Sequence, residues 1–311
     1  MKNQMHPDLL RINNGLRDRL TDIMSKPDDF CTGIEGLCLH RKDLPEKAEN
    51  CVNKPFVSVI AQGGKRSVVG NEEYRYGEHN CMVCGVDMPS IHYVEKISPD
   101  HPFLSVSLGL DKQIISQLAM DIALPKSTAE SHSAISIRPV DVKILDAFVR
   151  LTDLLDAPDQ IPVLAPLVIR EIHYRLLIGP QGESLRMLNT LGSQSNYVAQ
   201  AISWLKSHYK ETFQVNDLAD MSHMSVSNFH RHFRKVTSLT PLQYQKRLRL
   251  HEAQRLMLTE DIDATRACME VGYESSTQFS REYKRLFGEP PLKSIVKMKT
   301  MPNQAPNASP S

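Results

Sequence analysis

Arg231 and Arg234 stand in the run Phe229-His-Arg-His-Phe233-Arg, flanked by Ser227, Asn228 and His230. A guanidinium fork can hold O6 and N7 of guanine through two parallel hydrogen bonds. Asparagine or glutamine can hold adenine in the same way, and serine and threonine adapt to either. The chemistry on offer is recognition of base edges. Fifty residues later the set recurs, with Thr277, Arg281 and Lys284 flanked by Ser276, Gln278 and Ser280. Lys235 and Arg285 read as phosphate contacts or solvent-facing charges.

The elements that must position these groups are legible around them. In each copy the apolar residues fall at i, i+4 and i+7 (Phe229, Phe233, Val236; Phe279, Tyr283, Leu286), which predicts a helix with one buried face and a basic outer one. A shorter helical pattern precedes each copy. Val215, Leu218, Ala219 and Met221 lead to a break at Ser222-His223-Met224, with Ser225 placed to cap the next helix. Ala264, Ala267, Cys268 and Val271 lead to a break at Gly272-Tyr273, where a glycine tolerates positive φ. Two short helices joined by a tight turn form the helix-turn-helix pattern, here written twice. Between the copies, Thr240-Pro241-Leu242-Gln243 reads as a capping box opening a helix that runs to about Leu258. Its eighteen or so residues span ~27 Å at 1.5 Å each. With its flanking turns, that rod suits elements entering successive major grooves ~34 Å apart.

Residues 196–296 resemble the DNA-binding domain of the AraC-type transcription regulators. The resemblance rests on Leu218-Ala219, Ser225, Phe229-x-Arg231-x-Phe233-Arg234, Pro241-x-x-Tyr244, Arg247-Leu248, Ala253 and Leu256 in the first part. It continues in Val271-Gly272-Tyr273, Phe279-x-Arg281, Lys284 and Gly288-x-x-Pro291. The chain departs from the pattern at Ser238, where a glycine is usual, at the small Ala264, Ala267 and Cys268, and at Ser294-Ile295. These departures predict a thinly packed second unit.

Total charge is only +1, but its distribution matters. Residues 1–195 carry 21 Lys and Arg against 25 Asp and Glu, a balance of −4. Residues 196–311 carry 16 against 11, a balance of +5, on the half that holds the paired motif. The first residues lack the apolar core of a signal peptide, and no run approaches the ~18 apolar residues of a membrane span, so a cytoplasmic location is expected. Six cysteines without secretion signals are expected to be reduced thiols.

From Pro55 to Leu110 the apolar period is close to two, in six short runs punctuated by Gly63-Gly64, Gly70-Asn71, Gly77, Met88-Pro89 and Ser98-Pro99. This predicts a small antiparallel barrel or sandwich. Helical patterns follow over Val140–Asp156 and Pro162–Leu177. This half resembles the cupin-like N-terminal domain of one AraC-type subgroup. It does so in Phe56-x-x-x-x-Gln62-Gly63-x-Lys65, Tyr74-x-Tyr76-Gly77, Asp87-Met88-Pro89, Pro102-Phe103 and Arg170-Glu171-Ile172-x-Tyr174-Arg175. The resemblance implies a sensing and dimerising module without naming its ligand.

The expected fold is α+β: a cupin-like barrel with helices over residues 1–190, an all-α domain of two helix-turn-helix units over 191–299, and a disordered tail over 300–311. The expected function is sequence-specific regulation of transcription by a homodimer on double-stranded DNA. A small-molecule or thiol-reactive effector would control it, with RNA polymerase as a further partner if it activates. No cofactor, metal or enzymatic activity is expected. Cys81-Met-Val-Cys84 lies on a strand, where residues i and i+3 project to opposite faces and cannot chelate one ion. Either thiol, Cys84 first, is a candidate effector or redox sensor. His79 and His92 lack the His-x-His and glutamate of catalytic cupins and read as ordinary strand or turn histidines. The alternative is a zinc-dependent alkyl-accepting repair methyltransferase that also regulates. It rests on the thiols Cys38, Cys51, Cys81 and Cys84, and their spacing and the strand geometry argue against it.

Overall fold

The computed structural model describes residues 7–44, 49–122 and 133–299, so the tail expected to be disordered lies outside the described residues. The chain opens with α1 (Pro7–Ile23), whose Leu9, Asn13, Leu16 and Leu20 are buried at helical spacing. Nine strands follow: β1 (Asp28–Cys31), β2 (Leu37–Lys42), β3 (Glu49–Asn53), β4 (Phe56–Gln62), β5 (Gly64–Val69), β6 (Glu72–Gly77), β7 (Asn80–Cys84), β8 (Met88–Glu95) and β9 (Phe103–Gly109). Next come α2 (Lys112–Asp121), β10 (Ile135–Pro139), α3 (Val142–Asp153), α4 (Ile161–Ile178) and α5 (Gly182–Asn189).

The strands form two facing antiparallel sheets, β1-β2-β9-β4-β7-β10 and β3-β8-β5-β6. The six strands expected between residues 55 and 110 are β4 to β9, and β1, β2, β3 and β10 enlarge the sheets. Local pattern hides β1 because its Asp28-Asp29-Phe30-Cys31 is largely exposed at a sheet edge. It hides β10 because that strand is defined by pairing with the distant β7. On the larger sheet, one face (Leu39, Val57, Val59, Leu104, Val106) joins the helical residues Leu145, Phe148, Leu151 and Ile172 in one core. Fully burying each large side chain there contributes about 1.5–3 kcal/mol. The other face turns toward the smaller sheet, giving the barrel-like interior.

A turn centred on Gly192 leads into the helical half: α6 (Gln194–Ser207), α7 (Val215–Met221), α8 (Val226–Thr237), α9 (Pro241–Thr259), α10 (Ala264–Glu270), α11 (Ser276–Phe287) and α12 (Pro291–Lys299). The α9 capping box is formed: the Thr240 hydroxyl accepts from Gln243 N and the Gln243 side chain accepts from Thr240 N. No helix among the described residues is long and apolar enough to cross a membrane.

Candidate nucleic-acid interface

The two helix-turn-helix units are α7–α8 and α10–α11, held apart by α9. Ser225 and Ser275 cap α8 and α11 by accepting from Asn228 N and Gln278 N. The turns before them need a left-handed residue. His223 supplies it in the first unit at φ 51°, and Gly272 in the second at φ 83°. A Cβ on Gly272 would lie 2.2 Å from the Lys210 carbonyl oxygen, so that position admits no side chain without movement. Phe229, Phe233 and Val236 bury one face of α8, and Phe279 and Tyr283 bury the matching face of α11.

On the opposite face Ser227, Arg231 and Arg234 are exposed, with Asn228 and His230 half-buried at its margin. Asn228 Oδ1 accepts from Arg231 Nη2 at 2.8 Å, which holds that guanidinium along the helix. On α11, Ser276, Thr277, Gln278, Ser280, Arg281 and Lys284 are all exposed. Gln278 turns its amide to Glu282 at 3.2 Å. Each helix thus gathers its own set of expected base readers on one surface.

Two groups not singled out in the sequence fix the relation of the units. Arg249 on α9 donates to the carbonyls of Tyr209, Lys210, Glu211 and Gly272, tying the end of α6 to the second turn. Glu282 accepts from Lys246 at 2.6 Å and from the Tyr273 hydroxyl at 2.8 Å, pinning α11 to α9. Burial works against the charge of Glu282, yet hydrogen bonds from Lys246, Tyr273 and Gln278 bring its pKa below the ordinary glutamate value. Its depressed pKa contributes stability above the ordinary value that is lost as pH falls through the lower one. Glu282→Gln should therefore cost the second unit about 1 kcal/mol at neutral pH, allowing for screening of this partly exposed pair. A thermal melt that is unchanged at pH 7 would refute this.

The thin packing expected under α11 is real in α10, whose buried residues are only Ala267 and Cys268. Val271, Tyr273, Leu250, Met257 and Ile295 complete that core. Ser294 takes part as well, as hydrogen-bond partner of the buried Tyr283 hydroxyl at 3.3 Å. Ser238 adopts φ 58°, the left-handed conformation for which glycine is the usual solution.

The first unit also leans on the barrel, and its core is continuous with Ile60, Met82, Cys84, Met88 and Phe103. Ala134 N donates to Val236 O at 3.0 Å, and the Tyr244 hydroxyl donates to Asp87 O at 2.6 Å. Lys206 pairs with the Asp87 carboxylate. A Cβ on Gly70 would lie 2.4 Å from Ser238 O, so the β5–β6 turn meets the α8–α9 turn backbone to backbone. Asp87-Met88-Pro89 and Pro241-x-x-Tyr244, far apart in the chain, thus meet at one seam.

Cys81 and Cys84 lie in cores on opposite faces of the larger sheet. Burial pushes both thiols up to about 12, which favours the neutral thiol over the reactive thiolate. Cys38 faces Cys31 across β1–β2, and Cys51 faces Ser90 across β3–β8. Among the described residues, no three His, Cys, Asp or Glu side chains are grouped to hold a metal ion. His92 is fully engaged, Nδ1 with Ser67 Oγ at 2.7 Å and Nε2 with Asn53 Nδ2 at 2.8 Å, and burial holds its pKa well below the ordinary value.

A two-sheet domain seated on a pair of helix-turn-helix units joined by one helix defines a class of regulator architecture, and comparison with known proteins identifies the family. Residues 33–184 match the AraC-type transcriptional regulator N-terminus, and residues 218–294 match a helix-turn-helix domain. The chain belongs to the AraC-type transcriptional regulators. Among relatives, the HTH-type transcriptional activator RhaS of Pectobacterium carotovorum is 31% identical over 100 residues, covering 32% of this chain and 36% of that protein. The HTH-type transcriptional regulator ExsA of Pseudomonas aeruginosa is 28% identical over 134 residues, covering 43% of this chain and 48% of that protein. The matches span less than half the length of these relatives. ToxT of Vibrio cholerae, solved with an unsaturated fatty acid bound, shares the fold with a TM-score of 0.57 at 9% identity, over 88% of this chain and 100% of that one.

Proposed function

We propose that this protein is a cytoplasmic, non-enzymatic transcription regulator that binds an operator in double-stranded DNA through α8 and α11. The observation that carries the reading is the repetition of one exposed polar and basic face on two buried-backed helices, spaced by a 19-residue α9 that is about 28 Å long. Residues 191–299 form the DNA-binding unit and residues 1–190 the sensing unit, with the Asp87–Tyr244 seam as the path between them. A small molecule held in the barrel-like interior would shift the balance between two arrangements of that seam. ToxT, which shares the fold, is solved with an unsaturated fatty acid bound, and that supports a small-molecule ligand for this chain. DNA binding is tested by titrating fluorescent DNA from the protein's own promoter region at increasing salt. Affinity should fall steeply as phosphate contacts release counterions, and salt-insensitive binding or none would refute the reading.

We further propose that the working form is a homodimer joined through α4. Val163, Leu167, Tyr174 and Ile178 make an apolar stripe on that helix, with Val163 67% and Leu167 63% exposed. A second copy covers such a stripe by symmetry. Leu167→Glu in the full chain should shift the sedimentation coefficient from dimer to monomer while leaving the circular dichroism unchanged. An unaltered dimer would place the interface elsewhere.

A further inference from the structure

Of the six cysteines, two face each other. Cys31 on β1 and Cys38 on β2 are direct partners across an antiparallel ladder, and no other two cysteines stand opposite one another among the described residues. The bond from Thr32 N to Leu37 O at 3.0 Å lies one step beyond them, so Cys31 and Cys38 occupy a position where the opposed residues exchange no backbone hydrogen bond. At such positions the Cα atoms stand ~4.5 Å apart and the side chains come closest, within the ~4.4–6.8 Å that a disulfide spans. Asp29 and His40, two residues further along the ladder, form the next pair of this kind, and their side chains meet at 2.7 Å. Cys31 is exposed at the edge of the sheet, and Cys38 is half-buried beside it. The Cys31 sulfur is near enough to act on its neighbour: burial first, then the Cys31 thiol and the Asp29 carboxylate, push the Cys38 pKa up to about 12.

We propose that Cys31 and Cys38 form a reversible dithiol–disulfide couple, which a low-molecular-weight disulfide closes and a dithiol reopens. The exposed Cys31 thiolate attacks one sulfur of the small disulfide. This gives a mixed disulfide and one small thiolate, which takes up the proton that Cys31 lost. Cys38, deprotonated in turn, attacks the Cys31 sulfur, and the second small thiolate leaves and takes up that proton. Two protein thiols are oxidised to one disulfide while the small disulfide is reduced to two thiols. Attachment at Cys31 also removes the thiolate whose charge opposed Cys38, leaving burial and Asp29 against its ionisation. The bond fastens β1, an edge strand whose other side-chain ties to β2 run from Asp29 to His40 and Lys42. An exposed disulfide of this kind stays open to reduction, as regulatory rather than structural disulfides do. Cys81 and Cys84, on opposite faces of one strand, cannot close in this way. The couple is independent of how α8 and α11 address DNA.

The test uses the full chain, first fully reduced, then incubated with glutathione disulfide at pH 8 and quenched by alkylation. Wild type should fall from six titratable thiols to four with no glutathione retained, and peptide mapping should find Cys31 linked to Cys38 within one chain. Dithiothreitol should restore all six under native conditions. Cys38→Ser should stop at a stable glutathione adduct on Cys31, and Cys31→Ser should keep Cys38 unmodified over the same incubation. A wild type that keeps six thiols, that holds glutathione on Cys31 without closing the ring, or that links Cys31 to any other cysteine would overturn the proposal. So would a bond that dithiothreitol does not reopen. An adduct on Cys38 in Cys31→Ser that forms as fast as the one on Cys31 in Cys38→Ser would also overturn it, because the exposed thiol would then not be the one that attacks. The wild-type result decides whether the pair closes even if a variant fails to fold.

Discussion

Arg231→Ala lowers affinity for a preferred operator, selected from random-sequence DNA by the full chain, by roughly 10- to 100-fold and flattens discrimination among mismatched sites. That is the range for loss of one base-reading arginine, ~1–3 kcal/mol. Arg281→Ala does the same to a smaller extent. The inequality follows from packing. Beneath α8 lie Leu218 and Ala219, and beyond them the barrel residues that continue the same core. Beneath α11 lie Ala267 and Cys268 in a smaller, separate core. Arg231 is also braced by Asn228, whereas Arg281 has no side-chain hydrogen bond or ion pair among the described residues. A less firmly held reader loses more of its binding energy to immobilisation. Binding isotherms for both variants on a panel of mismatched duplexes decide the point, and equal losses would remove the argument for inequality.

Acidification should loosen the docked chain through His251. This residue sits on α9, which packs against β3 and β8. Its ring meets the edge of Phe287 on α11, and its charge would be opposed by Arg247 one turn before it and by His92 of β8. Neither ring nitrogen has a hydrogen-bond partner, and Nη1 of Arg247 is likewise buried and unpaired. Burial and the Arg247 charge push the His251 pKa down to about 3. When the helix is released the ring regains a pKa near 6.5. The unfolded or undocked form therefore binds the proton first, and stability is lost as pH falls below that value. At pH 5 the loss is about 2 kcal/mol, from 1.36 kcal/mol for each pH unit.

His92 and His173 also have depressed pKa values and add a slope of the same sign, so the comparison must be with a His251 variant. His251→Leu removes two unpaired buried nitrogens and should raise stability at pH 8 as well as flatten the curve toward pH 5. Urea midpoints from pH 8 to 5 measure this, and parallel curves for the two proteins would show that His251 is not the group responsible.

The helical half was legible from the chain because its signals are local. Helix periodicity, the Ser225 and Thr240 caps, the proline at the start of α9 and the glycine at the second turn all act within a few residues. Chemistry at that range does not depend on the rest of the fold. The alternation of β4 to β9 was legible for the same reason, and so was the projection of Cys81 and Cys84 to opposite faces. What tertiary structure decided depends on residues brought together from afar. It pairs β10 with β7, joins Asp87 to Tyr244 across the seam, and gathers four distant carbonyls around Arg249. It also closes the cores over Cys81 and Cys84. Residue type gives the charge or donor at each of these positions. Only the packed chain determines which partner is within reach, and whether water remains to satisfy the group when none is.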